Sequence, residues 1–163
     1  MHPASQPLET LARDCQVTRT KRGGPGGQHR NKVETAIVIT HLPSKIRAQA
    51  AEERSQAQNL DQAWQRLRVQ LALGIRSDAA AVSTLWQLRT RGGKLQVNPA
   101  HADFPALLAE ALDVLATLDW DLPAAVERLG VTSSRLIKFL KLEPQALALL
   151  NNVRAARGQK PYH

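Results

Sequence analysis

The sequence predicts an α+β protein: a short antiparallel sheet with one covering helix, followed by a small all-helical region. Three patterns indicate this. Short alternating or β-branched runs lie near the N-terminus, apolar residues recur at helical spacing from residue 59, and only helical patterns follow residue 103. Because two or three short strands are not stable alone in water, the first helix must cover the sheet.

The predicted sheet is formed by residues 15–20, 33–41 and 45–50, with a Leu-Pro-Ser turn before the third strand. A helix follows over 59–75, because its apolar residues fall at positions i, i+3, i+4, i+7 and i+11. That stripe consists of Leu60, Ala63, Trp64, Leu67 and Leu71. The segment 77–101 fits two alternatives, a hairpin around Gly92-Gly93 or a short helix with a linker.

Four helices are predicted after the connecting segment. Asp103 stands at an N-cap position before an amphipathic stripe that reaches Leu118. Residues 123–129 and 133–142 then form helix, turn and helix around Gly130, and a last helix runs over 144–157. The organisation predicted from these elements is an N-terminal extension 1–13, a domain 14–76, a connecting segment 77–102, a helical domain 103–158 and a tail 159–163.

The composition favours a polyanionic partner. The chain has 22 Lys and Arg against 14 Asp and Glu, a formal net charge of +8. It has a single cysteine, Cys15, and no apolar run of membrane-spanning length, which predicts a soluble cytoplasmic protein without a disulfide framework. We also expect the protein to be a monomer. Cys15 and the three tryptophans are predicted to be core residues. The sequence leaves open whether the acidic stretch 103–127 packs on the first domain.

The basic cluster between the first two strands surrounds a loop that cannot be helix or central strand. Residues 23–27 read Gly-Gly-Pro-Gly-Gly, and Gln28 follows. Glycines allow a backbone to approach another surface closely, while flanking cations neutralise phosphates. The loop lacks the Lys-Ser/Thr of a Walker loop and the spacing of a dinucleotide fingerprint. No metal-ligand spacing or nucleophile motif accompanies it, so no cofactor or metal is predicted.

Gly26-Gly27-Gln28 resembles the GGQ loop of the catalytic domain of class-I peptide chain release factors. The resemblance extends to Thr40-His41-Leu42-Pro43 and to Glu53-Arg54-Ser55-Gln56 with Asn59, and it covers residues 14–75. It implies hydrolysis of peptidyl-tRNA in the peptidyl transferase centre, with the ribosome and peptidyl-tRNA as partners. Gly26, Gly27 and Gln28 would be catalytic. The residues implied to contact rRNA are Arg22, His29, Arg30, Asn31 and Lys32.

Two departures shape the functional expectation. Arg30 and Val33 differ from the residues common in that family, and only about thirteen residues precede the resembling region. The latter leaves no place for a stop-codon reader of the usual kind, so the sequence favours codon-independent release that rescues stalled ribosomes.

Residues 124–137 resemble a helix-turn-helix, and Arg135, Lys138 and Lys141 are possible secondary nucleic-acid contacts. The alternative to an enzyme is therefore a non-catalytic protein that binds rRNA or DNA through these residues and the basic loop. A plain helical bundle whose cations only keep it soluble explains the same pattern.

Overall fold

A three-stranded sheet, one long helix and a group of shorter helices make up the protein, which confirms the α+β class. The computed structural model describes residues 1–21, 36–78 and 81–163. The strands are Cys15–Thr20 (β1), Ala36–His41 (β2), Arg47–Ala50 (β3), Thr90–Arg91 (β4) and Lys94–Leu95 (β5). The helices are Leu8–Arg13 (α1), Gln56–Gly74 (α2), Thr84–Arg89 (α3), Phe104–Thr117 (α4), Leu122–Leu129 (α5), Ser133–Leu140 (α6) and Pro144–Ala156 (α7).

The main sheet is antiparallel with the order β1-β2-β3. The register of β1 and β2 pairs Cys15 with His41 at one end and Thr20 with Ala36 at the other. The third strand begins at Arg47 rather than at the predicted residue 45. The reason is that Lys45 has a φ of 61° and belongs to the turn, where its N–H donates to the carbonyl of His41 at 2.8 Å.

Helix α2 covers the sheet as predicted, although it begins at Gln56, three residues before the predicted start at residue 59. Ser55 is the N-cap, and its hydroxyl accepts a hydrogen bond from the N–H of Gln58 at 3.4 Å. Ala63, Leu67 and Leu71 are fully buried. The helix packs on β2 and β3 and on α4, so one helix contributes to the packing of both the sheet and the helical region.

Residues 1–13, predicted only as an extension, are folded into the core. A 3-10 turn, Pro3–Ser5, precedes α1, and Ala4 and Leu11 are fully buried. Arg68 of α2 holds this segment by donating to the carbonyls of Ala4 and Gln6, both at 3.1 Å. Sequence reasoning missed this packing because so short a segment shows too little periodicity.

Both alternatives for 77–101 occur, one after the other. Helix α3 is capped by Ser83, whose hydroxyl accepts from the N–H of Trp86 at 3.0 Å. The hairpin of β4 and β5 follows directly. Gly92 and Gly93 have φ of 54° and 70°, and positive φ at both central residues is what a two-residue type I′ turn requires.

Asp103 precedes α4 as predicted, but its side chain makes no capping hydrogen bond. The residue has helical backbone angles, and its carboxylate accepts from Nε of Arg89 at 2.9 Å. The ion pair with α3 therefore replaces the cap. Helix α4 packs against α2 through a stripe that is almost entirely buried.

Helices α5 and α6 form the predicted helix, turn and helix. Gly130 ends α5 in the left-handed conformation with a φ of 65°, and the N–H of Val131 donates to the carbonyl of Val126, as in a Schellman motif. Helix α6 ends at Leu140, two residues before the predicted end, and α7 ends at Ala156. None of the helices in the described ranges is long and apolar enough to cross a membrane.

The buried side chains of the sheet, α2 and the later helices form one continuous cluster. Within it, the ring of Phe139 makes edge contacts with Trp86 and Phe104, with centroid distances of 6.0 and 5.6 Å. The predicted domain boundaries remain predictions, because a shared core does not define where one domain ends.

Replacing Gly130 by alanine is expected to lower the free energy of unfolding by about 1 kcal/mol, because an L side chain is disfavoured in the left-handed region. A Cβ at this position has no atom within 4 Å, so the loss reflects backbone conformation alone. Urea unfolding of the variant measures it. Gly130→Asn is the matched control and is expected to lose less, because asparagine tolerates this conformation. Equal losses in the two variants would contradict this explanation.

Candidate functional site

The strands β1 and β2 hold the two ends of segment 22–35 next to each other, because Thr20 and Ala36 are direct partners across the ladder. Helix α2 packs on β2 and β3, whereas β1 forms the free edge of the sheet, and its residues 16–20 are all exposed. The segment is therefore preceded by an exposed edge strand, β1, and followed by a buried strand, β2.

The predicted catalytic and rRNA-contact residues all belong to that segment. They lie outside the described residues: Arg22, Gly26, Gly27, Gln28, His29, Arg30, Asn31 and Lys32. The cations that lead into it are described. Arg19 and Lys21 are exposed, and neither forms an ion pair within the described parts of the chain. The approach to the segment is therefore positively charged.

The motif around Glu53 and Asn59 has a structural role. Asn59 is fully buried, and its side-chain oxygen accepts from the N–H of Glu53 at 3.0 Å. Its side-chain nitrogen donates to the carbonyl of the same residue, also at 3.0 Å. One amide thus satisfies both backbone groups of Glu53, while Ser55 caps the helix. Together they fix the path from β3 into α2.

The second motif, at the end of β2, closes the opposite end of the sheet from segment 22–35. Nδ1 of His41 lies 2.7 Å from the hydroxyl of Ser44, and the N–H of Leu42 donates to the carbonyl of Asp14 at 2.8 Å. Burial lowers the pKa of His41, which keeps the ring neutral at pH 7. The ring is therefore a structural group of the turn and adds no charge to the site.

Cys15 begins β1 and packs partly against the core, in keeping with the predicted apolar role. Burial, with a smaller contribution from the charge of Asp14, raises the pKa of its thiol to about 11. A thiol with this pKa is almost entirely protonated at neutral pH, so it is a poor nucleophile.

The three cations predicted as secondary contacts lie on or next to α6. Lys138 and Lys141 are exposed, and Arg135, in the first turn of the helix, is partly exposed. None of the three forms an ion pair with an acid in the described ranges. Leu136, Phe139 and Leu140 are buried on the inner side of the same helix. The expected division of α6 into an apolar and a cationic side is therefore present. Trp86 is buried, and Trp64 and Trp120 pack partly against the core.

Comparison with known proteins decides the family. A family model for the RF-1 domain matches residues 6–93, more than half of the chain. The chain belongs to the RF-1 domain family, whose members include the catalytic domains of class-I peptide chain release factors. The match contains the whole region of the sequence resemblance, and it also includes α1, α3 and the start of the β4–β5 turn.

Curated relatives of this RF-1 domain protein are release factors. Peptide chain release factor 1 of Xylella fastidiosa is 34% identical over 142 residues, which are 85% of this chain and 38% of the relative. Peptide chain release factor 2 of Phenylobacterium zucineum is 32% identical over 139 residues, 77% of this chain and 37% of the relative. Peptide chain release factor 1 of Chloroherpeton thalassium is 48% identical over 64 residues, 39% of this chain and 18% of the relative. The chain thus spans less than two fifths of the length of these relatives.

Replacing Asn59 in this RF-1 domain by alanine is expected to lower the free energy of unfolding by about 1–3 kcal/mol, because it removes a fully buried amide and leaves partly buried backbone groups of Glu53 without this partner. Asn152→Ala is the matched control. Asn152 is exposed on α7, and its loss is expected to change stability by less than about 0.5 kcal/mol. Urea unfolding of both variants makes the comparison, and similar losses would show that the buried amide has no special role.

Alkylation of Cys15 by iodoacetamide at pH 8 is expected to be slow in the folded RF-1 domain protein. A pKa of about 11 instead of 9.0 reduces the thiolate population about 100-fold, and the higher nucleophilicity of a more basic thiolate recovers about tenfold. The folded protein should therefore react at least about tenfold more slowly than the protein unfolded in guanidinium. Equal rates would mean that the fold does not protect this thiol.

Proposed function

We propose that this chain hydrolyses the ester bond of peptidyl-tRNA on the ribosome, using Gly26, Gly27 and Gln28. The supporting observation is the combination of RF-1 domain membership with the Gly-Gly-Gln motif between the paired strands β1 and β2. The partners are the large-subunit rRNA and the peptidyl-tRNA, and the setting is cytoplasmic translation.

The chemistry in this proposal is positional and electrostatic. The glycines let the backbone approach rRNA closely, and the N–H of Gln28 donates to the oxygen that develops negative charge as the ester breaks. The Gln28 side chain orients the attacking water. No protein nucleophile takes part. Arg22, His29, Arg30, Asn31 and Lys32 hold the segment against rRNA by contacts with phosphates and bases.

We further propose that release by the chain does not depend on a stop codon, so that the chain acts in the rescue of stalled ribosomes. Residues 1–13 fold onto α2, and α4 packs against the same helix. Release by the chain should then be equal whether the ribosomal A site holds a stop codon, a sense codon or no codon.

The test uses the purified chain and ribosomes that carry labelled peptidyl-tRNA in the P site, with peptide release as the readout. Gly27→Ala is expected to slow release about 100-fold or more, because the added Cβ hinders the close approach of the backbone to rRNA. Gln28→Ala is expected to cause a similar loss, because it removes the side chain that orients the attacking water. Co-sedimentation with ribosomes should persist in both. Gln159→Ala is the matched control, because Gln159 is exposed and lies far along the chain from the motif.

Two outcomes would contradict the proposal. Release that is unchanged in both motif variants would remove the catalytic role and favour a non-catalytic protein that binds rRNA or DNA. Release only with a stop codon in the A site would remove codon independence while leaving the hydrolytic activity in place.

A further inference from the structure

The helical region contains a second basic surface, separate from segment 22–35. Two elements form it: the hairpin of β4 and β5, and helix α6. We define the hairpin–α6 surface by four cations, Arg91 and Lys94 of the hairpin and Lys138 and Lys141 at α6. None of these four forms an ion pair or side-chain hydrogen bond within the described parts of the chain.

The fold brings the two elements together. A Cβ placed on Gly93 at the hairpin tip would lie 3.9 Å from the carbonyl oxygen of Gly130, in the turn before α6. Strand β5 contacts α6 directly. Each element contributes apolar residues to the shared core, Leu95 from the hairpin and the buried Leu136 from α6. The cations of both elements are therefore left on the outer side.

The surface is held rigidly from below. Nε1 of Trp86, in the helix before the hairpin, donates to the carbonyl of Leu129 at 2.8 Å, just ahead of the Gly130 turn. The ring of the same tryptophan packs edge-on against Phe139 of α6. One buried side chain thus fixes the hairpin relative to α6, so the backbone that carries the cations needs no rearrangement on binding.

We propose that the hairpin–α6 surface binds the phosphates of double-helical RNA. The four unpaired cations are carried by two neighbouring elements, and a double helix presents two phosphate backbones that such a pair of elements can contact. The side-chain-free tip formed by Gly92 and Gly93 permits close approach of its backbone to a shallow groove. Single-stranded RNA fits less well, because it is usually held by stacking on exposed aromatic rings. In the described ranges the tryptophans and phenylalanines are buried or packed against the core, and Tyr162 is covered by Arg154.

This surface does not depend on the chemistry of the Gly-Gly-Gln motif. On a ribosome it would supply an anchor separate from the catalytic segment. It can be tested without ribosomes, so that its failure is distinguishable from a failure of the proposed hydrolytic activity.

The test measures the affinity of the full chain for a fluorescent RNA duplex of about 20 base pairs by anisotropy, over a range of salt concentrations. Arg91→Gln with Lys94→Gln, and separately Lys138→Gln with Lys141→Gln, are each expected to weaken binding at least about tenfold. Each pair should also reduce the slope of log affinity against log salt by about 2, because each removed cation leaves one phosphate without its neutralising charge.

Arg47→Gln with Arg54→Gln is the matched control. It removes two exposed and unpaired cations at β3 and before α2, away from the hairpin. This pair should change affinity less than about threefold. Ser134→Lys adds a cation one helical turn before Lys138 and is expected to tighten binding, which tests the proposal without removing any basic side chain.

Three results would overturn the proposal. The first is an equal loss of affinity in the control pair, which would show that binding depends only on the net charge of the chain. The second is binding of equal strength to a DNA duplex of the same sequence or to the single RNA strand. The third is an affinity and salt slope that stay unchanged in both variant pairs while circular dichroism shows them folded.

Discussion

The packing of α2 on two sides is the constraint on which the rest of the structure depends. Ala63, Leu67 and Leu71 are fully buried, and the helix contacts β2, β3, the N-terminal turn and α4. Two half-buried arginines extend this role, Arg68 within the helix and Arg76 just after its end. Arg68 binds carbonyls of the N-terminal segment, whereas Arg76 donates to carbonyls of the last turn of α2 and lies 3.7 Å from Asp113 of α4. Burial lowers the pKa of both guanidinium groups, yet they keep their charge at neutral pH because arginine titrates far above it.

Two acids of the 103–127 stretch, Glu110 and Asp113, hold neighbouring parts of the fold together. Asp113 accepts from the N–H and hydroxyl of Ser77 at 3.0 and 2.6 Å, and Glu110 accepts from the N–H of Ser83 at 2.7 Å. The two carboxylates of α4 thus hold the connection between α2 and α3 against α4 by hydrogen bonds at Ser77 and Ser83. The acidic stretch, whose location the sequence leaves open, therefore packs on α2 through α4.

Periodicity predicts those parts of the fold whose side chains repeat regularly, and it fails where a single side chain decides the outcome. The three strands, α2 and the helical region follow from regular apolar spacing. The apolar stripe places the start of α2 too late, because Ser55 and Asn59 set that start through hydrogen bonds and not through apolar contact. Asp103 is the N-cap residue of α4 as predicted, but its side chain makes no capping hydrogen bond. It pairs instead with Arg89, fourteen positions earlier, and no local pattern reveals that partner. The motif residues of the candidate site are visible in the sequence. The adjacency of the hairpin and α6 is not, since it depends on Trp86 reaching Leu129 across the core.

A site that acts through a backbone segment requires that the sheet carrying this segment, here called its platform, be rigid. If hydrolysis relies on the N–H of Gln28, a displacement of about 1 Å costs a large part of the rate, so the ends of segment 22–35 must be held firmly. The pairing of Thr20 with Ala36 holds them at one end, and the His41–Ser44 turn closes the sheet at the other. Because α2 packs on the same sheet and on α4, the helical region is held rigidly relative to that platform. Binding of the hairpin–α6 surface to RNA would then restrict where the catalytic segment can lie, which raises its effective concentration at one place on the ribosome without any change in its own contacts.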